Sequence, residues 1–381
     1  MIVSKLVLKN WKNFLHVDVI LTERVFIIGP NASGKSNLLD ALKFLRDICK
    51  PGGGLQKAVE DRGGISKIRC LAARKYPDIE MGIVLSDSSG RSTWKYEIGI
   101  KQKVRGYRQP YLAYERVYKN NVLIVERPDM KDEQDPLLLT QTYLEQISAN
   151  VKFREVSKYL ESISYMHLVP QLVRFQQAFS GPGIPGDPFG KNILDHIAKT
   201  QSKVRSSRLK KIEEALRIAV PQLKELTFVQ DSTGHPHLEA IYEHWRPMGA
   251  KQREDQFSDG TLRLVGLLWT ILESDSILLI EEPELSLNSG IVNKLPGIFY
   301  RLQTQRGRQI LISTHSVDLL TDKGIGTEEV LVLRPSNEGT GVKVASSILE
   351  IKDLIEKGMS VGEASLPYTY PANVNQLDLF K

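Results

Sequence analysis

Cysteine is nearly absent from this chain: 381 residues hold only Cys49 and Cys70, and no CxxC pair. That excludes a disulfide scaffold and a cysteine-built zinc site, and leaves both residues as plain core or surface thiols. Long apolar runs are missing too. Stretches such as 25–28 and 276–280 fall far short of the roughly 20 residues a membrane-spanning helix needs. The opening MIVSKLVLKN carries lysines inside its apolar stretch. We therefore expect no signal peptide, no anchor and a cytoplasmic protein without a membrane partner. Internal repeats, low-complexity tracts and sustained heptads are also lacking, which excludes a repeat array or a long coiled coil.

What remains is an ordinary globular composition, 41% hydrophobic and 25% charged, suited to one large α/β domain with an inserted lobe or to two domains. The net charge of +6 is a mild excess that leans toward phosphate or nucleic acid without deciding for either.

Periodicity predicts strands at 5–9, 16–21 and 24–28, the last running into a glycine-rich loop and an amphipathic helix that ends near Pro51-Gly52-Gly53-Gly54. From 78 to 127 the pattern alternates with period two, with a hairpin turn at Lys119-Asn120-Asn121, as in an antiparallel layer. Residues 134–223 carry a mostly helical pattern. Strands resume at 225–230 and 238–245, followed by a polar loop and a helix at 261–273. Then come an apolar strand at 277–280, a helix at 291–303, a strand at 309–314 and a last strand at 330–333. Strand and helix alternate here as a doubly wound parallel sheet requires. The expected fold is α/β, with residues 1–130 and 224–358 forming one head, 131–223 an inserted helical lobe, and 359–381 a loosely ordered tail.

The chemistry concentrates in four short segments. Gly29-Pro30-Asn31-Ala32-Ser33-Gly34-Lys35-Ser36 matches GxxxxGK[ST] between a buried strand and a helix, the setting that gives the motif meaning. Such a loop wraps backbone N–H groups around the β- and γ-phosphates, Lys35 neutralises phosphate oxygens, Ser36 ligates Mg²⁺, and Asn37 continues into the helix. ATP is the expected ligand. The strand at 277–280 ends in Glu281-Glu282-Pro283-Glu284, at the sheet edge where ligands bind. Glu281 suits the magnesium, and Glu282 suits a general base acting on the attacking water. Phe257-Ser258-Asp259-Gly260-Thr261 stands before a helix, where the Ser258 hydroxyl, the Gly260 backbone and the helix dipole suit an anion. The strand at 309–314 ends in His315-Ser316.

In this order the four segments resemble the SMC, RecF and OLD branch of ABC-type ATPases, above all its stand-alone bacterial and archaeal predicted AAA family ATPases without a Toprim domain. The phrase Leu8-Lys9-Asn10-Trp11-Lys12-Asn13-Phe14, the run GPNASGKSNLLDAL from Gly29 to Leu42, and SDGT, LLIEEPE and STHS carry the likeness, which is specific at the two ends and vague between. It implies a P-loop head working as a homodimer around two ATP molecules, with Ser258 and Gly260 serving the nucleotide of the opposite subunit and His315 as switch. It also implies a role in DNA repair or in defence against phage and mobile DNA, through an effector protein such as a nuclease. Three departures stand out: Glu281 where Asp is general, Asp259 where many relatives have Gly, and Ser286-Leu287-Asn288-Ser289 where GLHP is common, at the cross-dimer D-loop. The Q-loop glutamine has Gln102, Gln109 and Gln171 as candidates.

Weaker features complete the survey. Lys101, Lys103, Arg105 and Arg108, and the basic stretch 203–211, could touch a DNA or RNA backbone, although solvated basic faces are commoner. His235, His237 and His244 lack the cysteines or spaced carboxylates of a metal site. Lys67 or Arg69, within the segment 62–69, is positioned to approach the nucleotide, and Trp11 or Phe14 to stack on adenine. The rival readings are a transporter nucleotide-binding subunit, a non-catalytic ATP-binding DNA clamp or scaffold, and a small-molecule P-loop kinase. The transporter predicts a clear Q-loop and an LSGGQ-like signature; the kinase leaves Ser258 and His315 without a role.

Overall fold

The computed structural model describes residues 1–73, 78–87, 89–102, 109–176, 187, 189–244, 249–273 and 276–371. The chain starts with an antiparallel pair, β1 (Ile2–Trp11) and β2 (Phe14–Ile20), then enters β3 (Arg24–Ile28), whose five residues are all buried. The Lys35–Cys49 helix follows, burying Leu38, Leu42, Leu45 and Ile48 on one face. A meander continues through β4 (Ile79–Ser86), β5 (Ser92–Gln102), β6 (Pro110–Lys119) and β7 (Val122–Arg127), and completes a sheet of order β2-β1-β4-β5-β6-β7. Asn120 and Asn121 both take positive φ at the β6–β7 turn, as the sequence suggests for a tight hairpin.

Helices Arg154–Glu161, Ile193–Lys199 and Ser202–Ala219 occupy the segment with the helical pattern. The same segment also contributes β8 (Ser164–Met166), an edge strand of the second large sheet, which three residues are too few to announce. A small sheet follows from β9 (Leu223–Gln230), β10 (Pro236–Tyr242) and β11 (Ala250–Arg253), the last of which lies in a stretch whose polarity reads as loop. Then come the Asp259–Glu273 helix, β12 (Leu278–Glu281), the Leu295–Arg306 helix, β13 (Ile310–Ser313), β14 (Val330–Ser336) and β15 (Gly339–Val344). β14 was expected to be last. It instead turns back as β15, with Gly339 at φ 113°.

The second sheet has the order β15-β14-β3-β13-β12-β8, parallel except for β15. Alternate residues leave its strands on opposite faces. Ile27, Leu279 and Leu311 join the core under the antiparallel layer and the Lys35–Cys49 helix. Phe26, Ile28, Ile280 and Ile312 join the core formed with the helices at 202–219, 259–273 and 295–306. Each fully buried side chain of this kind contributes about 1.5–3 kcal/mol. With both faces covered, the open C-terminal edge is left for ligands.

Residues 359–371 depart from the loose order expected of them. The Val361–Ser365 helix buries Val361 and Ala364, and Gly362 lies so close to Leu320 and the Val317 carbonyl that a Cβ would clash. Residues 372–381, with Lys103, Arg105 and Arg108, lie outside the described residues. No helix among those described is long and apolar enough to cross a membrane.

Candidate nucleotide site

The glycine-rich loop leaves β3 at the C-terminal edge of the parallel sheet. An ideal Cβ on Gly29 (φ 153°) would sit 2.7 Å from the Leu333 carbonyl oxygen, and one on Gly34 (φ 96°) would overlap the Asn13 side chain, so both positions demand glycine. Asn31, Ala32 and Ser36 are exposed, Pro30 is partly so, and Ser33 is buried with no partner for its Oγ. Lys35 folds its Nζ back onto the carbonyls of Gly29 (3.0 Å) and Pro30 (3.2 Å) and to 3.4 Å from His315 Nδ1. Burial pulls its ammonium down to about 8; the charges of Glu282, Glu284 and Glu281 oppose that shift without cancelling it.

Asn13 braces this loop, a role that no sequence reading assigned to it. Its Nδ2 donates to the Ser33 carbonyl and to Thr340 Oγ1, both at 2.8 Å, and its Oδ1 accepts from Asn37 Nδ2, also at 2.8 Å. Thr340 on β15 closes the brace by donating its N–H to the Asn13 carbonyl at 2.8 Å. The signal was present in the phrase around Asn13, but its partner at Thr340 lies at the other end of the chain.

The acidic segment leaves β12 next to this loop. Glu281 lies beside β8, where burial and the Glu281 charge raise the Tyr165 phenol, and His167 Nδ1 is 3.6 Å from Glu281 Oε2; Glu281 Oε1 is buried without a hydrogen-bond partner. Glu282 takes the left-handed backbone region (φ 44°) and donates its N–H to the Ser313 carbonyl at 2.9 Å. A non-glycine residue there stores about 1–3 kcal/mol of strain. The bend directs Glu282 to His315, with Oε1 3.2 Å from Nε2, and this bond is the largest cause holding the carboxyl below the ordinary carboxylate range. Glu284 Oε1 accepts from Thr314 Oγ1 (2.7 Å) and the His315 N–H (2.9 Å), fixing the histidine's backbone. Lys35, Glu282 and His315 thus form one cluster, anchored by a third glutamate that the sequence reading gave no role.

Ser258 and Gly260 lie apart from it. Ser258 Oγ accepts from the Thr261 N–H at 3.1 Å, capping the Asp259–Glu273 helix, and is exposed. Gly260 abuts the D-loop stretch: an ideal Cβ would be 2.5 Å from the Ser286 carbonyl oxygen. Among the described residues no hydrogen bond or ion pair joins Ser258 or Gly260 to the glycine-rich loop. Gln171, one Q-loop candidate, instead donates to Asp259 Oδ2 at 3.0 Å.

One weaker expectation is corrected, and the other weaker candidates are located. Trp11 and Phe14 are fully buried, and Trp11 donates Nε1 to the Asn37 carbonyl at 2.8 Å, so neither can stack on adenine. Arg62 braces Asp40 and Asp47 at 2.8 and 3.0 Å, whereas Lys67 and Arg69 are exposed. In the basic stretch, Arg205 packs over Phe228 and Arg208 over Trp269, leaving Lys203, Lys210 and Lys211 exposed. His237 is 2.7 Å from Glu254 Oε1, and among the described residues no group of three or more His, Cys, Asp or Glu could hold a metal.

For Mg²⁺ the donor set fits. Ser36 offers an exposed hydroxyl and Glu281 a buried carboxylate oxygen with no partner, the hard oxygen ligands that the ion prefers.

The family model described as "AAA domain, putative AbiEii toxin, Type IV TA system" (AAA_21) matches residues 24–322. The DNA replication and repair protein RecF of Agrobacterium fabrum is 44% identical over 57 residues, 15% of this chain and 14% of that protein. RecF of Synechocystis sp. is 32% identical over 94 residues, 24% of each. The chain therefore spans a quarter or less of the length of these relatives. Among solved structures, an SMC head bound to the C-winged helix domain of ScpA is similar with a TM-score of 0.54 at 15% identity, over 90% of this chain and 97% of that one. An SMC head with an extended coiled coil, bound to the C-terminal domain of ScpA from Pyrococcus furiosus, reaches 0.50 at 12% identity, over 93% and 99%. At such identities the likeness is one of fold. Because the family model covers well over half of the residues, the chain belongs to the AAA_21 family, and its fold is like that of SMC heads.

Proposed function

We propose that this protein hydrolyses ATP to ADP and phosphate as a dimer in which each nucleotide lies between the glycine-rich loop of one subunit and the Ser258–Gly260 segment of the other. The observation that carries the reading is the cluster of Lys35, Glu282 and His315, with Glu282 bent out of its strand and held ionised beside the histidine. A carboxylate kept in its basic form can orient a water and accept its proton as the oxygen attacks the γ-phosphorus and the bond to the β–γ bridging oxygen breaks. Lys35 exchanges two backbone carbonyls for phosphate oxygens. His315 lies where it can bond the γ-phosphate while that group is present. Ser36 and Glu281 would hold Mg²⁺, whose chemistry is to neutralise charge on the β- and γ-oxygens.

Ser258, exposed, and the half-buried Gly260 make no hydrogen bond to their own loop among the described residues and can meet a partner's γ-phosphate at a helix N-terminus. The closed dimer then persists only while ATP is intact, and hydrolysis times the release of a partner protein. The RecF relatives, named for DNA replication and repair, support a role in DNA repair.

The test is phosphate release with Mg²⁺ for the wild type, Lys35→Ala and Glu282→Gln. Turnover in the wild type alone supports the reading. Equal rates in the wild type and Glu282→Gln contradict the assignment of the base.

A further inference from the structure

An acid stands inside the segment that, on the reading above, must receive an anion. Asp259 is the first residue of the Asp259–Glu273 helix, directly after Ser258. Alone, its charge would repel a triphosphate approaching that helix end. The structure cancels it. Arg174, the last residue of the short Pro170–Arg174 helix, places Nη2 2.6 Å from Asp259 Oδ1 and 2.7 Å from the Phe257 carbonyl oxygen. Gln171, on the same helix, donates Nε2 to Asp259 Oδ2 at 3.0 Å. Both carboxylate oxygens are thus engaged from outside the helix, and the Phe257 carbonyl, immediately before Ser258, is tied to the same guanidinium.

Arg174 is 19% exposed and Asp259 34%, so the pair is half-buried and only partly screened by water. Gly260 meanwhile is packed against the Ser286 carbonyl. The segment 257–260 is therefore gripped from two sides, by Arg174 and Gln171 on one and by the D-loop backbone on the other.

We infer that Arg174 is the positioning residue of the Ser258–Gly260 segment: it neutralises Asp259 and fixes the Phe257 carbonyl, so that the helix end presents positive potential to the ATP held by a second subunit. The inference rests on the dimer reading and assigns Arg174 no contact with the nucleotide of its own subunit. Removing the cation leaves Asp259 ionised at the mouth of the γ-phosphate site, whereas removing both charges restores a neutral mouth.

The experiment titrates ATP against dimer formation, by light scattering in the Glu282→Gln background, for that protein alone and with Arg174→Ala, Asp259→Asn or both added. Binding of a fluorescent ATP analogue at protein concentrations too low for dimers reports separately on each subunit's own loop. Arg174→Ala should raise the ATP concentration for half-dimerisation about tenfold or more, as expected for one charge-assisted hydrogen bond lost. Adding Asp259→Asn should bring it back to within about threefold, and binding of the analogue to the monomer should not change. An unshifted midpoint in Arg174→Ala, or no restoration by Asp259→Asn in a variant that still binds the analogue, overturns the inference. If the Glu282→Gln protein itself fails to dimerise with ATP, the dimer reading fails first, and the two failures are told apart.

Discussion

Two regions of this molecule bury charge, and they do it in opposite ways. At the edge of the antiparallel layer, Arg127 on β7, Glu115 on β6 and Asp132 on the following Met130–Gln134 helix are buried, and the arginine reaches Asp132 at 2.6 Å and Glu115 at 3.2 Å. Glu115 also accepts from Tyr96 Oη and from the N–H groups of Tyr143 and Leu144, and burial still pushes its carboxyl upward. At the C-terminal edge of the parallel sheet, by contrast, Glu281 Oε1, Glu284 Oε2, Ser33 Oγ and His167 Nδ1 are buried without hydrogen-bond partners. An orphaned buried polar atom costs about 1–3 kcal/mol. Other orphans, such as Tyr159 Oη and Trp269 Nε1, are scattered singly, whereas these concentrate beside Lys35 and Glu282, as expected of the ligand site proposed above. A finished network stabilises the fold. An unfinished one waits for a ligand.

The contrast can be broken by mutation. Arg127→Ala leaves two buried carboxylates facing each other and should lower unfolding free energy by about 3–5 kcal/mol in urea titration. Glu281→Gln, in the unfinished region, should leave stability unchanged or slightly higher, yet reduce Mg²⁺-dependent ATP turnover about 100-fold. Equal stability losses in the two variants would erase the distinction. Glu284→Ala releases the backbone of His315 and should lower kcat about tenfold with less change in KM, since misplacing a catalytic group acts on the reacting geometry. Steady-state kinetics separates these terms. Asn13→Ala removes hydrogen bonds worth about 1 kcal/mol each and should weaken ATP binding about fivefold by calorimetry.

The smallest expected effect is in protons. Burial holds the Lys35 ammonium near 8, below its ordinary 10.5. Between those values the unfolded chain carries a proton that the folded chain has lost, so this group makes stability without nucleotide rise with pH across that window. A triphosphate beside Lys35 favours the charged form again. ATP binding at pH 8.5 should therefore take up part of a proton, seen as a dependence of binding enthalpy on buffer ionisation, and the uptake should vanish at pH 6.5. Proton release at pH 8.5 would contradict the placement of Lys35.

The same contrast sorts what could be read from the sequence. The segments around Lys35, Glu281, Ser258 and His315 were legible because each pairs a fixed local spacing with a buried strand or a helix start, and β3, β12 and β13 carry unbroken apolar runs. Their supports were not. Asn13 works through Thr340, and Glu281 is met by His167, the residue just after a three-residue strand. Such pairings exist only after the chain has folded, and short polar strands such as β8 and β11 show no usable period. Trp11 and Phe14 misled for a related reason: aromatic residues near a nucleotide loop suit stacking, but here they fill the core.

The most direct test is the molar mass of Glu282→Gln by multi-angle light scattering, with and without ATP and Mg²⁺. The account predicts the monomer mass without ATP and twice that mass with it, while Lys35→Ala stays monomeric in both. A Glu282→Gln protein that binds ATP yet keeps one mass under both conditions would contradict the claim that the unfinished site is completed by nucleotide and a second subunit.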